Sequence, residues 1–204
     1  WYVLGSTAGF SATQFGTTGD LTTQGDFDGD GKTDFGVYRP SAGVWYLLGS
    51  TAGFSATQFG TTGDRPVAGD YDGDGKTDIA VFRPSTGVWY ELRSTSGFYA
   101  AQFGVSSDIV APADFDGDNK DDITVFRPSN GVWYILRSTN NNVDYVQFGT
   151  TGDVPAAGDY DGDGKDDQAV YRSGDWYLNR STSGFGAYSF GLSTDIPVES
   201  KYTP

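Results

Sequence analysis

A tryptophan that returns at nearly constant spacing constrains the fold of this sequence more than any other feature. It stands at positions 1, 45, 89, 133 and 176, which gives intervals of 44, 44, 44 and 43 residues. The residues after it return as well: WYVLGSTAGFSATQFGTTGD at 1–20 and WYLLGSTAGFSATQFGTTGD at 45–64 differ at one position. A fixed period of about 20–50 residues is typical of chains built from stacked supersecondary units. We therefore expect a series of equivalent structural units.

Each unit has the pattern of four short strands. In the second unit these are the segments 65–71, 79–84, 88–94 and 98–104. The Asp-rich segment 72–78 separates the first two, and turns with Ser and Gly separate the others. Apolar residues at helical spacing are absent from the sequence. Four-stranded units of this length, packed face to face around an axis, are the blades of a β-propeller. The sequence thus predicts an all-β propeller with about 44 residues per blade; a β-solenoid is the rival, although its repeats are usually shorter.

The ends of the chain fall inside a blade rather than between blades. We expect a single domain over 1–204, with repeats at about 20–63, 64–107, 108–152 and 153–194. The chain begins in a third strand and ends in a first strand, so a partial blade from 1–19 plus 195–204 would close a five-bladed ring with one strand missing. The alternatives are a fragment of a larger array and a strand supplied by another copy through an exposed sheet edge.

An aspartate-rich string of nine residues precedes the second strand of each unit. In the first unit it is DFDGDGKTD, from Asp26 to Asp34, with carboxylates at positions 1, 3, 5 and 9. The glycines let the chain wrap around an ion, and the backbone carbonyl of the lysine at position 7 adds an oxygen. Six to eight hard oxygen ligands select Ca²⁺, and the sequence has no His or Cys for a softer metal.

The sequence therefore predicts four Ca²⁺ sites, one per complete repeat. Their expected ligands, the lysines through their carbonyls, are Asp26, Asp28, Asp30, Lys32 and Asp34; Asp70, Asp72, Asp74, Lys76 and Asp78; Asp114, Asp116, Asp118, Lys120 and Asp122; and Asp159, Asp161, Asp163, Lys165 and Asp167. A fifth site is not expected, because Lys201 stands where such a loop would begin.

Position 6 of each string needs a sharp turn, and a positive φ is expected there. Gly31, Gly75 and Gly164 suit this backbone, and Asn119 is the best substitute among the other residues. An EF-hand is excluded, because valine occupies the position of its bidentate glutamate and no helices flank the loop.

The net charge of −14 argues against nucleic acid or an anionic membrane as a partner. Of the 27 acidic residues, 16 are the aspartates at positions 1, 3, 5 and 9 of the four strings, so four divalent ions would leave a charge of about −6. A merely solvated acidic surface is the simpler alternative. No stretch approaches the roughly 20 apolar residues of a membrane span, so membrane insertion is not expected.

The strings resemble the DxDGDGxxD signature of FG-GAP/VCBS repeats, which form calcium-binding blades in integrin α-subunits and in many bacterial surface proteins. QFG at 14–16, 58–60, 102–104 and 147–149, and SFG at 189–191, fit the Phe-Gly element of that family. The resemblance implies a propeller with Ca²⁺ in the hairpin loop between the first two strands of each blade. It also implies an extracellular or cell-surface adhesion or ligand-binding module; no signal peptide stands in this sequence.

For function, the sequence favours a non-catalytic scaffold. It has no His, no Cys and no serine in a nucleophile-elbow pattern. The expected partner is a protein or glycan at the cell surface or matrix, and the alternatives are a self-assembling structural protein and a multivalent lectin. In the lectin, Trp45, Trp89, Trp133 and Trp176 would stack on sugars, unless these rings pack between blades. The arginines at 39, 83, 127 and 172 are expected either to bridge to the acidic loop of a neighbouring blade or to anchor an acidic ligand.

Overall fold

The structure, a computed structural model, describes residues 1–5 and 9–197 of the chain. Within these residues the regular elements are 18 strands. No helix among the described residues is long and apolar enough to cross a membrane. The strands form four antiparallel sheets of four strands and one sheet of two. The all-β prediction is confirmed, and the four-stranded sheets are the blades of a propeller ring.

Strands pair in chain order in every sheet. The two-stranded sheet, called the half-blade, contains β1 (Tyr2–Gly5) and β2 (Gly9–Ala12). Blade 1 contains β3 (Leu21–Gly25), β4 (Asp34–Arg39), β5 (Val44–Gly49) and β6 (Gly53–Gln58). Blade 2 contains β7 (Arg65–Pro66), β8 (Ile79–Arg83), β9 (Val88–Arg93) and β10 (Gly97–Gln102). Blade 3 contains β11 (Ile109–Val110), β12 (Ile123–Arg127), β13 (Val132–Leu136) and β14 (Val143–Gln147). Blade 4 contains β15 (Val154–Pro155), β16 (Gln168–Arg172), β17 (Asp175–Arg180) and β18 (Gly184–Ser189).

The half-blade has the register of the third and fourth strands of a complete blade. Tyr2 pairs with Ala12, just as Tyr46 pairs with Ala56 forty-four residues later. This is the pairing expected for a third and a fourth strand, and the assignment of 1–19 to a partial blade stays a prediction. The predicted closing strand lies largely outside the described residues: no strand is present at 195–197, and 198–204 are not described.

The tryptophans lie at the seams between successive blades. Trp89 has no exposed surface and belongs to a core cluster that also contains Val125 and Ile123 of blade 3. Its indole Nε1 donates a hydrogen bond of 2.9 Å to the carbonyl of Phe103, the phenylalanine of the Phe-Gly element. The side chain therefore joins two blades and fixes the end of its own outer strand.

The expectation that these tryptophans stack on sugars is wrong for three of them. Trp45, Trp89 and Trp133 are all 0% exposed, because the next blade covers each indole ring. Trp176, in blade 4, is half-buried. Packing between blades is thus the role of the first three rings.

The arginine of each second strand pins that strand to the residue that precedes the first strand. Arg83 Nε and Nη2 donate to the two carboxylate oxygens of Asp64 at 2.8 and 2.9 Å, and the guanidinium lies 4.4 Å from the centre of the Tyr90 ring. Neither predicted role, a bridge to the neighbouring acidic loop or an anchor for a ligand, describes this contact. The same pair recurs in the other blades as Arg39–Asp20, Arg127–Asp108 and Arg172–Asp153.

One seam residue departs from the repeat. Glu91 occupies the position that Leu47, Ile135 and Leu178 fill in the other blades, and it is 0% exposed. Arg93 Nε donates to Glu91 Oε2 at 2.7 Å, whereas Oε1 is buried without a hydrogen-bond partner. Burial raises the pKa of this carboxyl to about 7, although the charge of Arg93 opposes the shift.

Replacing the seam tryptophan of blade 2 tests its contribution to the core. We expect Trp89→Ala to lower the free energy of unfolding by about 3–5 kcal/mol, because it leaves a cavity between two blades. The matched control is Phe98→Ala, which removes a ring that is 65% exposed and should cost less than about 1 kcal/mol. Urea unfolding measures both; equal losses would contradict the assignment of Trp89 to the core.

The buried glutamate predicts a specific dependence of stability on pH. The folded carboxyl keeps its proton to about pH 7, whereas the unfolded one releases it near 4.5, so the free energy of unfolding falls as pH rises through this window. We expect the wild type to lose about 3 kcal/mol between these pH values relative to Glu91→Leu, from 1.36 kcal/mol per pKa unit. Urea unfolding at several pH values gives this difference, in which the effects of other carboxyls cancel. Glu91→Gln should also remove it, and a difference independent of pH would contradict the expectation.

Candidate metal centres

Three carboxylates converge in each aspartate-rich loop. The loops are defined as loop 1 (26–34), loop 2 (70–78), loop 3 (114–122) and loop 4 (159–167), each with positions 1 to 9. The aspartates at positions 1, 3 and 9 offer oxygens that lie within 4.8 Å of one another. Oxygens bound to one Ca²⁺ at about 2.3–2.6 Å are no more than about 5 Å apart, so the spacing suits this ion. The converging groups are Asp26, Asp28 and Asp34; Asp70, Asp72 and Asp78; Asp114, Asp116 and Asp122; and Asp159, Asp161 and Asp167.

The fold places these carboxylates by tying them to backbone amides. In loop 2, which joins β7 to β8, Asp70 accepts hydrogen bonds from the backbone of Gly73 at 2.7 Å and Gly75 at 2.8 Å. Asp78 lies immediately before β8, and its two oxygens accept from Tyr71 N at 2.9 Å and Ser94 N at 2.7 Å. The loop is thus wrapped around its own carboxylates.

The predicted turn at position 6 is confirmed in all four loops. The φ angles are 81° at Gly31, 84° at Gly75 and 86° at Gly164, and Asn119 has a φ of 64°. Asparagine adopts this left-handed region more readily than most residues with a side chain.

The aspartate at position 3 of each loop has an oxygen without a partner. Asp72 Oδ2 accepts from the amides of Thr95 and Ser96 at 3.0 and 2.7 Å, whereas Asp72 Oδ1 is buried and accepts no hydrogen bond. A buried polar atom without a partner is costly and calls for an explanation. A cation held between the three carboxylates would bind this oxygen, so the residues fit the ion. The same orphaned atom occurs in every loop: Asp28 Oδ1, Asp72 Oδ1, Asp116 Oδ1 and Asp161 Oδ1.

Burial and mutual repulsion act on the ninth-position carboxylates. Burial, followed by the charges of Asp72 and Asp70, raises the pKa of Asp78 to about 6 against the opposing bonds from Ser94 and Tyr71. Burial likewise raises the pKa of Asp122 to about 6 and raises the pKa values of Asp34 and Asp167. A divalent cation at this point would reverse the effect by favouring the charged carboxylates.

The fifth-position aspartates are not among the converging groups. Asp74 Oδ2 instead accepts hydrogen bonds from the hydroxyls of Ser94, at 2.6 Å, and Thr95. This differs from the predicted ligand set. Asp30 and Asp163 likewise accept from both hydroxyls of a Ser-Thr pair. In loop 3, Asp118 accepts only from the hydroxyl of Ser138, and the hydroxyl of Thr139 donates to Asp116. The lysine carbonyls remain predicted ligands.

That Ser-Thr turn, between the third and fourth strands, is the part of the site that the sequence analysis missed. In each complete blade this turn packs against the acidic loop. The serine amide donates to the aspartate at position 9, and the threonine donates to an aspartate at position 3 or 5. The signal was present in the repeat, because Ser-Thr recurs at 50–51, 94–95, 138–139 and 181–182.

Comparison with solved structures supports the fold alone. The structure titled "Streptogramin B lyase structure" has a TM-score of 0.61 and 12% identity, and the match covers 93% of this chain and 61% of that one. BBS1N in complex with ARL6DN has a TM-score of 0.50 and 15% identity, with 87% of this chain and 55% of that one covered. The chain thus spans less than two thirds of either structure.

No match is found among curated proteins. A family model described as "FG-GAP-like repeat" matches residues 26–81 and 70–125, and each match runs from one acidic loop through the next. The matched segments contain loops 1 to 3 and the whole of blade 2. On this match, and on the propeller that these blades form, residues 26–125 are FG-GAP-like repeats.

Proposed function

We propose that this chain is a calcium-binding propeller that serves outside the cell as a non-catalytic scaffold for adhesion or ligand binding. The observation that carries the proposal is the orphaned oxygen of Asp28, Asp72, Asp116 and Asp161, each of which belongs to a group of three converging carboxylates. Four equivalent sites with the same unmatched atom are difficult to explain by turn formation alone.

Calcium suits these loops better than other ions. The donors are carboxylate oxygens, and the sequence offers no His or Cys. Ca²⁺ accepts six to eight oxygens in flexible geometry, whereas Mg²⁺ demands a nearly ideal octahedron and keeps several waters. The absence of His and Cys from the sequence also supports a scaffold rather than an enzyme.

A rim of exposed aromatic rings favours the outer strands as the binding surface. The last strand of every sheet, β2 in the half-blade and the fourth strand in each blade, presents one such ring that is 64–68% exposed. These rings are Phe10, Phe54, Phe98, Tyr145 and Phe185. At three seams the ring meets the Phe-Gly phenylalanine of the preceding sheet, with centroids 6.4 Å apart. The first seam contains a groove of about 190 Å³ lined by Phe15, Tyr46 and Phe54. This rim supports a multivalent lectin as a second candidate, with these rings in place of the buried tryptophans.

Calcium titration tests the first proposal. We expect metal-free protein to bind four Ca²⁺ by isothermal titration calorimetry and to melt at a higher temperature with calcium, because a site filled at 1,000-fold excess over Kd adds about 4 kcal/mol. Asp72→Asn should bind three ions. Asp175→Asn, which removes a carboxylate outside the loops, should still bind four. An unchanged melting curve and no heat of binding would refute the calcium proposal.

Glycan binding tests the lectin candidate. We expect the wild type to bind neutral glycans on an array more strongly than a variant with Phe54, Phe98 and Phe185 all replaced by alanine, because three of the five exposed rings are removed. Trp176→Ala is the matched control and should retain binding. The lectin candidate fails if the wild type binds no glycan or if the triple variant binds as well as the wild type.

A further inference from the structure

The eighth residue of loops 2, 3 and 4 is hydrogen-bonded to the first residue of the preceding loop. Asp121 N donates to the carbonyl of Asp70 at 2.6 Å, and Asp70 N donates back to Asp121 Oδ2 at 2.9 Å. Asp166 and Asp114 form the same pair of bonds between loops 4 and 3, at 2.7 and 2.8 Å. Each pair joins two loops that lie on different blades.

The link between loops 1 and 2 has only one of these two bonds. Thr77 stands at position 8 of loop 2, and its amide donates to the carbonyl of Asp26 at 2.7 Å. Threonine has no carboxylate, and no bond from Asp26 N to Thr77 occurs among the hydrogen bonds of the described residues. The chain therefore contains two double links and one single link of otherwise similar form.

The linking residue lies between two groups that belong to its own metal centre. In loop 3, Asp121 is 3% exposed and is flanked by Asp122, one of the converging carboxylates, and by Lys120, the predicted carbonyl ligand. An ion in loop 3 would hold both neighbours of Asp121 in place. Asp121 in turn holds the backbone of Asp70, which supplies a converging carboxylate to loop 2.

A second contact runs in the same direction. A Cβ atom placed on Gly73 of loop 2 would lie 3.0 Å from Cε and Cγ of Lys120, so the lysine of loop 3 extends across the glycine turn of loop 2. Lys165 crosses Gly117 in the same way at the next seam, with distances of 3.1 Å. The glycine turn that wraps one centre is thus covered by a residue of the next centre.

We propose that the metal centres of neighbouring blades are energetically coupled through the position-8 residue, so that an ion in one loop raises the affinity of the preceding loop. The inference rests on the calcium function proposed above. Coupling between two binding sites is reciprocal, so either ion favours the other. Loops 2 and 3, and loops 3 and 4, are coupled more strongly than loops 1 and 2, because their links contain the additional carboxylate bond. If the links served only blade packing, their removal would change stability but not cooperativity.

The coupling is measured with pairs of loops isolated inside the whole chain. Asp28→Asn with Asp161→Asn disables loops 1 and 4 and leaves loops 2 and 3. Calcium titration of this protein should show two bound ions with positive cooperativity. The first ion should raise the affinity for the second by a factor of about 5 to 150, the usual range for linked sites. Adding Asp121→Thr should still allow two ions but reduce the cooperativity several-fold. Asp121→Asn keeps an acceptor oxygen and should preserve most of the cooperativity.

The natural threonine provides the reverse experiment. Asp116→Asn with Asp161→Asn leaves loops 1 and 2, and adding Thr77→Asp should increase their cooperativity. The coupling is refuted if two ions bind with the same cooperativity with and without Asp121→Thr, or if they bind independently in the first pair. Absence of calcium binding in every protein, including the wild type, would instead refute the calcium function itself. Circular dichroism of each variant confirms that the β-structure is retained.

Discussion

The second strand of every blade has consecutive buried residues and is therefore buried on both faces, so folding depends on packing these faces against neighbouring sheets. Trp89 shows how this is achieved, since its indole is fully buried against blade 3 while its Nε1 holds the outer strand of its own blade. Once the sheets are packed in this way, the hairpin loops at equivalent positions are brought side by side. The contacts between successive acidic loops therefore follow from the packing of the apolar faces.

This packing buries carboxylates of the acidic loops, and the loops supply hydrogen-bond donors to only some of their oxygens. Asp78 is buried immediately before the second strand of blade 2, and its two oxygens accept hydrogen bonds from the amides of Tyr71 and Ser94. The nearby Asp72 keeps one buried oxygen without a donor. Protonation can neutralise one carboxyl, as the raised pKa of Asp78 indicates, but it leaves an unmatched site that a divalent cation fits better.

Much of the fold and part of the site could be predicted from the sequence because both depend on local patterns. The strands follow from alternating residues and turns, and the φ angle at Asn119 follows from its place in the loop. The pairing of Arg83 with Asp64 and the contact of Asp74 with the Ser-Thr turn could not be predicted in this way. These partners lie about 20 residues apart, so their meeting depends on strand register and on how each blade closes. The role of Trp89 also remained open, because composition does not distinguish a ring at a seam from one at an edge.

Departures from the repeat carry information that the repeat itself does not. A feature present in every blade, such as the arginine–aspartate pair, is explained by the needs of a blade. A residue that differs in one blade alone, such as Glu91 among leucine and isoleucine, has no such explanation and reports on that blade alone. Thr77 is a comparable departure at the metal loops. Its loop is joined to loop 1 by one hydrogen bond, whereas loops 3 and 4 are each joined to the preceding loop by two. The carboxylate at position 8 is therefore not required for the blade to form, and its presence in loops 3 and 4 is better explained by an effect on the adjacent centre than by folding.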